Sequence, residues 1–197
     1  MATILKSVAG RQLGLGSSGR LLVLPKGLVE PVAAELAAYT STAASTAVSN
    51  TTTETLFDKY FTIPANSLRA GSLIRARFQG IATATNSTDT LAVKLYIGGL
   101  TGTALISIPA TDVADSNVFQ GEYELIIRTI GASGTMVGCG TFKSIPAAEG
   151  TMTIKDDILA STAIDTTAAQ VIGVSATWSV ASASNSCRLD FLRVLMA

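Results

Sequence analysis

The side chains able to do chemistry are few, and their types narrow what that chemistry is. The chain has 197 residues with 14 Lys plus Arg, 14 Asp plus Glu and no histidine. Without imidazole there is no Ser-His-Asp triad, no Cys-His pair, no histidine zinc site and no histidine pH switch. Carboxylate, lysine, tyrosine and cysteine chemistry remain. The local acid clusters are Asp156 with Asp157 and Asp112 with Asp115. Neither has the several oxygen donors and glycine of a calcium loop, so these read as solvated loop acids, and no metal or cofactor is expected. A small all-β enzyme would use Asp156 and Asp157, and would need a cleft around them. A glycosidase would also need aromatic rings beside its carboxylates; aromatics are only 6% of the chain. Cys139 and Cys187 read as two small apolar residues facing a core. The glycine-rich run from Gly10 to Gly19 lacks the Gly-Lys-Ser/Thr ending of a phosphate cradle. Arg75 and Arg77 alternate with apolar residues on one segment, Glu122 and Glu124 on another. That pattern predicts cross-strand ion pairs.

The balance of the chain points the same way, toward contacts rather than catalysis. Charged residues are 14% and hydrophobic residues 48%, against a usual charged share of about a quarter. Mean hydropathy is +0.44 and the pI about 6.2. A zero formal charge argues against wholesale polyanion binding, because nucleic-acid affinity rests on a surplus of Lys and Arg. No specific nucleic-acid partner is expected. No apolar run approaches the ~18 residues of a membrane span, and Met1 to Gly10 lacks a basic end followed by an apolar core. No membrane partner and no secretory leader are expected, so the acceptor-like Asn86-Ser-Thr88 and Asn50-Thr-Thr52 read as chance. A body so poor in charge exposes wide Ala, Val and Thr surfaces, which mark places where another protein sits. Self-association or docking on a larger assembly is the first functional inference.

Composition changes near residue 54. Residues 1–53 read as an arm: basic at Lys6, Arg11, Arg20 and Lys26, glycine-rich, and with almost no period-two pattern. Leu21 to Leu24 suits a short strand added to a neighbour's sheet edge, ended by Pro25. Pro31 to Tyr39 suits one short helix, and Thr40 to Thr53 reads as a Ser/Thr/Ala linker. Fully extended, the arm reaches about 175 Å at roughly 3.3 Å per residue. Leu13, Leu15, Leu21, Leu22, Val23 and Leu24 have no other core to enter and are the expected protein-binding residues.

Residues 54–197 read as short strands separated by turn residues. Strands are expected over 56–63, 73–83, 90–97, 104–108, 118–130, 135–145, 169–181 and 186–195, with an irregular loop over 146–162. Ile74, Ala76 and Phe78 share one face; Tyr123, Leu125 and Ile127 share another; Val174, Ala176, Trp178 and Val180 face inward. Glycines in 135–145 predict a bulge or close backbone approach, and a parity change between Phe191 and Leu192 predicts another bulge or a second buried face. With no helix-length segment between strands, the expected fold is an all-β, antiparallel two-sheet sandwich of about eight strands with an extended N-terminal arm. A jelly roll fits the count best, and an immunoglobulin-like sandwich is the alternative.

The wording at Ile63-Pro-Ala-Asn66, Gly71, Ile74-Arg-Ala-Arg77, the Thr-rich turn at 85–90 and Lys94-Leu-Tyr-Ile-Gly98 resembles a module of tailed-bacteriophage virion structural proteins. The match in wording covers about 40 residues, 60–99; the strand rhythm extends it across 55–195. The resemblance implies a jelly-roll domain, commonly trimeric, acting as a capsid decoration (cement) protein. It implies no catalytic residue. The expected partners are other copies of the chain, as a homotrimer, and the major capsid protein, which the arm would grip. The expected location is the exterior of the virion capsid, after synthesis in the host cytoplasm. The alternative is a tail or fibre component binding a host glycan or an adjoining tail protein, with Tyr96 as its aromatic platform.

Overall fold

The computed structural model describes residues 13–15, 21–23, 36–84, 88–113, 116–145 and 152–197. The chain divides into a unit of residues 1–34 and a body of residues 35–197. In the first unit, β1 (Leu13–Leu15) pairs antiparallel with β2 (Leu21–Val23), with Leu13 opposite Val23 and Leu15 opposite Leu21.

The body is built from β3 (Leu36–Thr40), β4 (Val48–Ser49), β5 (Thr55–Ile63), β6 (Leu73–Thr83) and β7 (Thr90–Ile97). These are followed by β8 (Thr103–Asp112), β9 (Asn117–Thr129), β10 (Gly134–Ile145), β11 (Thr153–Ile164), β12 (Gln170–Trp178) and β13 (Ser186–Met196). Among the described residues the only helical turn is a 3₁₀ turn at Gly99–Thr101. One sheet has the order β11-β10-β9-β6-β13-β3, with β4 also paired to β13; the other has the order β5-β12-β7-β8. Every pairing is antiparallel.

The route of the chain resolves the topology. It passes from β3 and β4 in the larger sheet to β5 in the smaller, back to β6, across to the β7–β8 hairpin, and back to β9. After the β9-β10-β11 meander it crosses to β12 and returns to β13. Without β10 and β11, the sheets are (β3, β4)-β13-β6-β9 and β5-β12-β7-β8, a jelly roll; β10 and β11 widen one edge of it.

The alternation read from sequence puts the core between the sheets. Ile74, Ala76, Phe78, Tyr123, Leu125, Ile127, Val174, Ala176 and Trp178 are all buried there. Val180 lies past the end of β12 and is exposed, contrary to its expected inward position. Turn residues behave as expected: Asn66 and Gly71 take φ of 59° and 89°, and Gly98 and Gly99 take 88° and 68°. The glycines of β10 permit close approach. A Cβ on Gly140 would collide with the Tyr123 ring, whereas the β10–β11 register shift between Met136 and Gly138 adds its extra residue to β11 rather than to β10. The parity change in β13 is a bulge, since its register with β6 shifts between Leu189 and Phe191.

Three further expectations fail, each for a reason of tertiary contact. Leu36–Thr40 is a strand on the edge of β13, not part of a helix. Helix preference amounts to tenths of a kcal/mol per residue, and ladder bonds to β13 plus Tyr39 stacked 6.0 Å from Phe61 outweigh it. Residues 31–35 lie outside the described residues. The expected linker over 40–53 is bound to the sandwich as well. Val48 is buried, and its carbonyl accepts the Trp178 indole N–H at 3.2 Å. Ser41 and Ser45 each accept a β13 backbone N–H, from Leu192 and Leu189, at 2.9 Å through the side-chain hydroxyl. Their own N–H groups donate back to the carbonyls of the same two residues, at 2.9 and 2.8 Å. Small side chains that build no core of their own fit against one already built. Finally, part of the expected loop over 146–162 is β11. As an edge strand it needs no fully apolar inward face, so its sequence lacks the alternation that reveals the other strands.

Candidate interaction face

Cross-strand partners share a face, so the register assembles the outer surface of the larger sheet. Arg75 and Arg77 of β6 stand opposite Glu124 and Glu122 of β9. Glu124, Glu122 and Gln120 stand opposite Cys139, Thr141 and Lys143 of β10. Those three in turn stand opposite Ile158, Asp156 and Ile154 of β11. The face is thus ionic at its centre and apolar along the β11 edge.

The expected pairing of arginine with glutamate is present at Arg75 and Glu124. Nε and Nη2 donate to Oε2 at 3.1 and 2.5 Å. Both side chains are about one-third exposed, at 33% and 38%, so water screens the pair and its worth to stability is ~1 kcal/mol or less. It orients the two groups more than it holds the fold. Beside it the surface dips into a depression of about 440 Å³ lined by Arg75, Arg77, Glu122, Glu124, Cys139 and Lys143. Cations and carboxylates alternate around it, which matches a mixed polar protein surface better than a single-signed ligand.

Cys139 sits on this outer face and is exposed, so only Cys187 is the core residue expected of both cysteines. Burial pushes the Cys187 thiol up to about 12. Asp156 and Asp157 are consecutive on a strand and point to opposite sides. Asp156 accepts the Thr141 hydroxyl at 2.7 Å, and Asp157 lies 3.6 Å from the Lys155 ammonium. They do not converge on one substrate atom. Asp112 ends β8, and Asp115 lies outside the described residues.

A second polar cluster occupies the outer face of the smaller sheet. Glu54 accepts the Ser175 hydroxyl at 2.7 Å, the Tyr96 hydroxyl at 3.0 Å and the Lys94 ammonium at 3.1 Å. Burial pushes the Glu54 carboxyl up, but the bonds from Ser175, Lys94 and Tyr96 together hold it below its ordinary value. Burial and then Glu54 push the Tyr96 phenol up. Tyr96 is 6% exposed. It is a member of this network and offers no platform on which a sugar could stack, contrary to expectation.

Of the expected anchoring residues, Leu13, Leu15, Leu21, Leu22 and Val23 lie in the β1–β2 hairpin, and Leu24 lies outside the described residues. The segment expected to add to a neighbour's sheet therefore already has a strand partner within the chain. The residues that sequence reasoning passed over are on β11, where Ile158 is 81% exposed and Ile154 51%. Their every-fourth-residue spacing on one face was legible only once 153–164 was known to be a strand.

No family model matches the chain, and no curated protein matches it in sequence. Among solved structures, a chain of infectious bursal disease virus, Gx strain, matches at 17% identity and TM-score 0.34, covering 80% of this chain. This chain spans only 31% of that viral chain's length. The CBM2 module of the evolved Dit of Lactobacillus casei BL23 phage J-1 matches at 13% identity and TM-score 0.31, covering 69% of this chain and 67% of the module. A Lotus tetragonolobus seed lectin matches at 10% identity and TM-score 0.36, covering 98% of this chain and 95% of the lectin. Viral, phage and plant chains thus stand together at similar scores, and a likeness this loose carries no argument about what this chain does.

Proposed function

We propose that this chain is a non-enzymatic virion structural protein, a capsid decoration (cement) protein of a tailed bacteriophage. The observation that carries the reading is the phage-module wording over 60–99. It supplies the β5–β6 turn and the strands β6 and β7 at the centre of a jelly-roll body. The separate unit of residues 1–34, with Leu13, Leu15, Leu21, Leu22, Val23 and Leu24, acts as the anchor on the major capsid protein. The body associates with other copies as a homotrimer on the capsid exterior. Its action is mechanical. Apolar surface buried across subunit boundaries contributes about 25 cal/mol per Å². Contacts made only in the assembled shell favour that state over free subunits. The glycan-binding alternative is the weaker reading, because Tyr96 is sequestered by Glu54.

The test is occupancy on particles that lack the protein, comparing the full chain with one lacking residues 1–34. The truncated body retains every jelly-roll strand, so it is expected to fold and yet fail to bind. Equal occupancy of the two forms would overturn the anchor assignment.

A further inference from the structure

The free edges of the two sheets are not equally protected. An unpaired edge invites another strand unless it is short, covered, or broken by proline or bulges. β8 carries Pro109, and β3 has 5 residues. β5 is met by Thr46, whose N–H and hydroxyl donate to Asp58 at 3.0 and 2.9 Å. β11 carries a bulge between Leu159 and Thr162, but its stretch 153–159 has neither proline nor bulge and exposes Ile154 and Ile158 on one face.

The segment Thr153-Ile-Lys-Asp-Asp-Ile-Leu159 is also nearly self-complementary about Asp156. Laid antiparallel on a second copy with Asp156 on a two-fold axis, Ile154 faces Ile158 of the other copy. Lys155 faces its Asp157, and Thr153 faces its Leu159. Within one chain the Lys155 ammonium already lies 3.6 Å from Asp157, so the pair of strands closes a ring of two cations and two carboxylates. One unfavourable contact remains, Asp156 opposite itself, since like charges directly opposed on adjacent strands repel. Each of these carboxylates is held by its own Thr141 hydroxyl at 2.7 Å.

We propose that β11 pairs antiparallel with β11 of a second copy of this chain across a two-fold axis at Asp156. The pairing buries Ile154 and Ile158 and joins the two larger sheets into one, with their polar depressions on a common face. It needs only the geometry of β11 and stands apart from the virion reading. It joins copies in pairs whether each is a single chain or a member of a trimer.

The experiment is sedimentation equilibrium of the full chain and five surface variants, with circular dichroism confirming that each is folded. The wild type is expected to show reversible doubling of its smallest species. Ile158→Lys removes both Ile-Ile contacts and should weaken doubling about tenfold or more. Asp156→Asn removes the central repulsion and should tighten it. Lys155→Glu and Asp157→Lys should each weaken it about threefold to tenfold, and the double exchange should restore it, because the ring of charges is re-formed with signs reversed. A chain that stays undoubled at its solubility limit, or a double exchange that fails to rescue, overturns the proposal. So does a mass of three chains unmoved by every variant, which would leave the trimer intact.

Discussion

Ser45 shows how much of the fold rests on single hydroxyls. Its Oγ accepts the Leu189 N–H at 2.9 Å beside the β13 bulge, where the register with β6 slips and the regular ladder cannot serve. Ser45→Ala strands that buried donor and is expected to cost about 1–3 kcal/mol. In urea this reads as a lower midpoint with an unchanged slope. Glu54 gives a pH signature. A carboxyl held below its ordinary value of 4.5 in the fold contributes stability that is complete above that value and fades as pH falls through the lower folded one. Glu54→Gln is therefore expected to lose stability at neutral pH and to flatten the acid limb below pH 4.5, measured by urea midpoints across that range. The group is partly exposed, so the effect is a modest one.

At the scale of elements, β3 and β4 matter most, because they are the first jelly-roll strands and lie before the compositional break at residue 54. Deleting residues 1–34 leaves them in place; deleting residues 1–53 removes both, with the buried Val48 and the acceptor of the Trp178 indole. Lost burial of Val48 and an orphaned indole together cost about 3–6 kcal/mol. That is a large part of the ~5–15 kcal/mol by which domains are usually stable. Thermal melts are expected to show the 1–34 deletion near the full chain and the 1–53 deletion far below it or unfolded. Similar melts for both would mean that β3 and β4 only decorate the sandwich edge. β11 is the opposite case, an element whose sequence carries little sign of a strand because, at the edge of the sheet beside β10, it needs no fully apolar inward face.

For the whole molecule, a low charge content and a jelly-roll body leave two kinds of surface. The outer face of the larger sheet alternates arginine with glutamate at its centre and is apolar along β11 and at Ile126 of β9. Burying that edge answers the inference drawn from composition, that so weakly charged a chain shelters apolar surface against other proteins. The proposals place particle binding in residues 1–34 and strand pairing in β11, so the two are expected to be separable. The 1–34 deletion should retain doubling in sedimentation, and Ile158→Lys should retain particle binding.

The amino-acid order by itself determined whatever depends on neighbours along the chain. Period-two alternation marked β6, β7, β9 and β12 and their inward faces, Asn66 and Gly71 marked their turn, and the slip in parity near Phe191 marked a bulge. The absence of histidine removed whole classes of chemistry. Only the tertiary structure decided what depends on partners distant in sequence. Leu36–Thr40 became a strand because β13 offered it a ladder, 40–53 became ordered because Ser41, Ser45 and Val48 found donors there, and Tyr96 was buried because Glu54 reached it. The self-complementary run on β11 was present in the letters throughout. It gained meaning only when the sheet order placed that run on an open edge, since strand pairing outward requires backbone groups that no described strand has used.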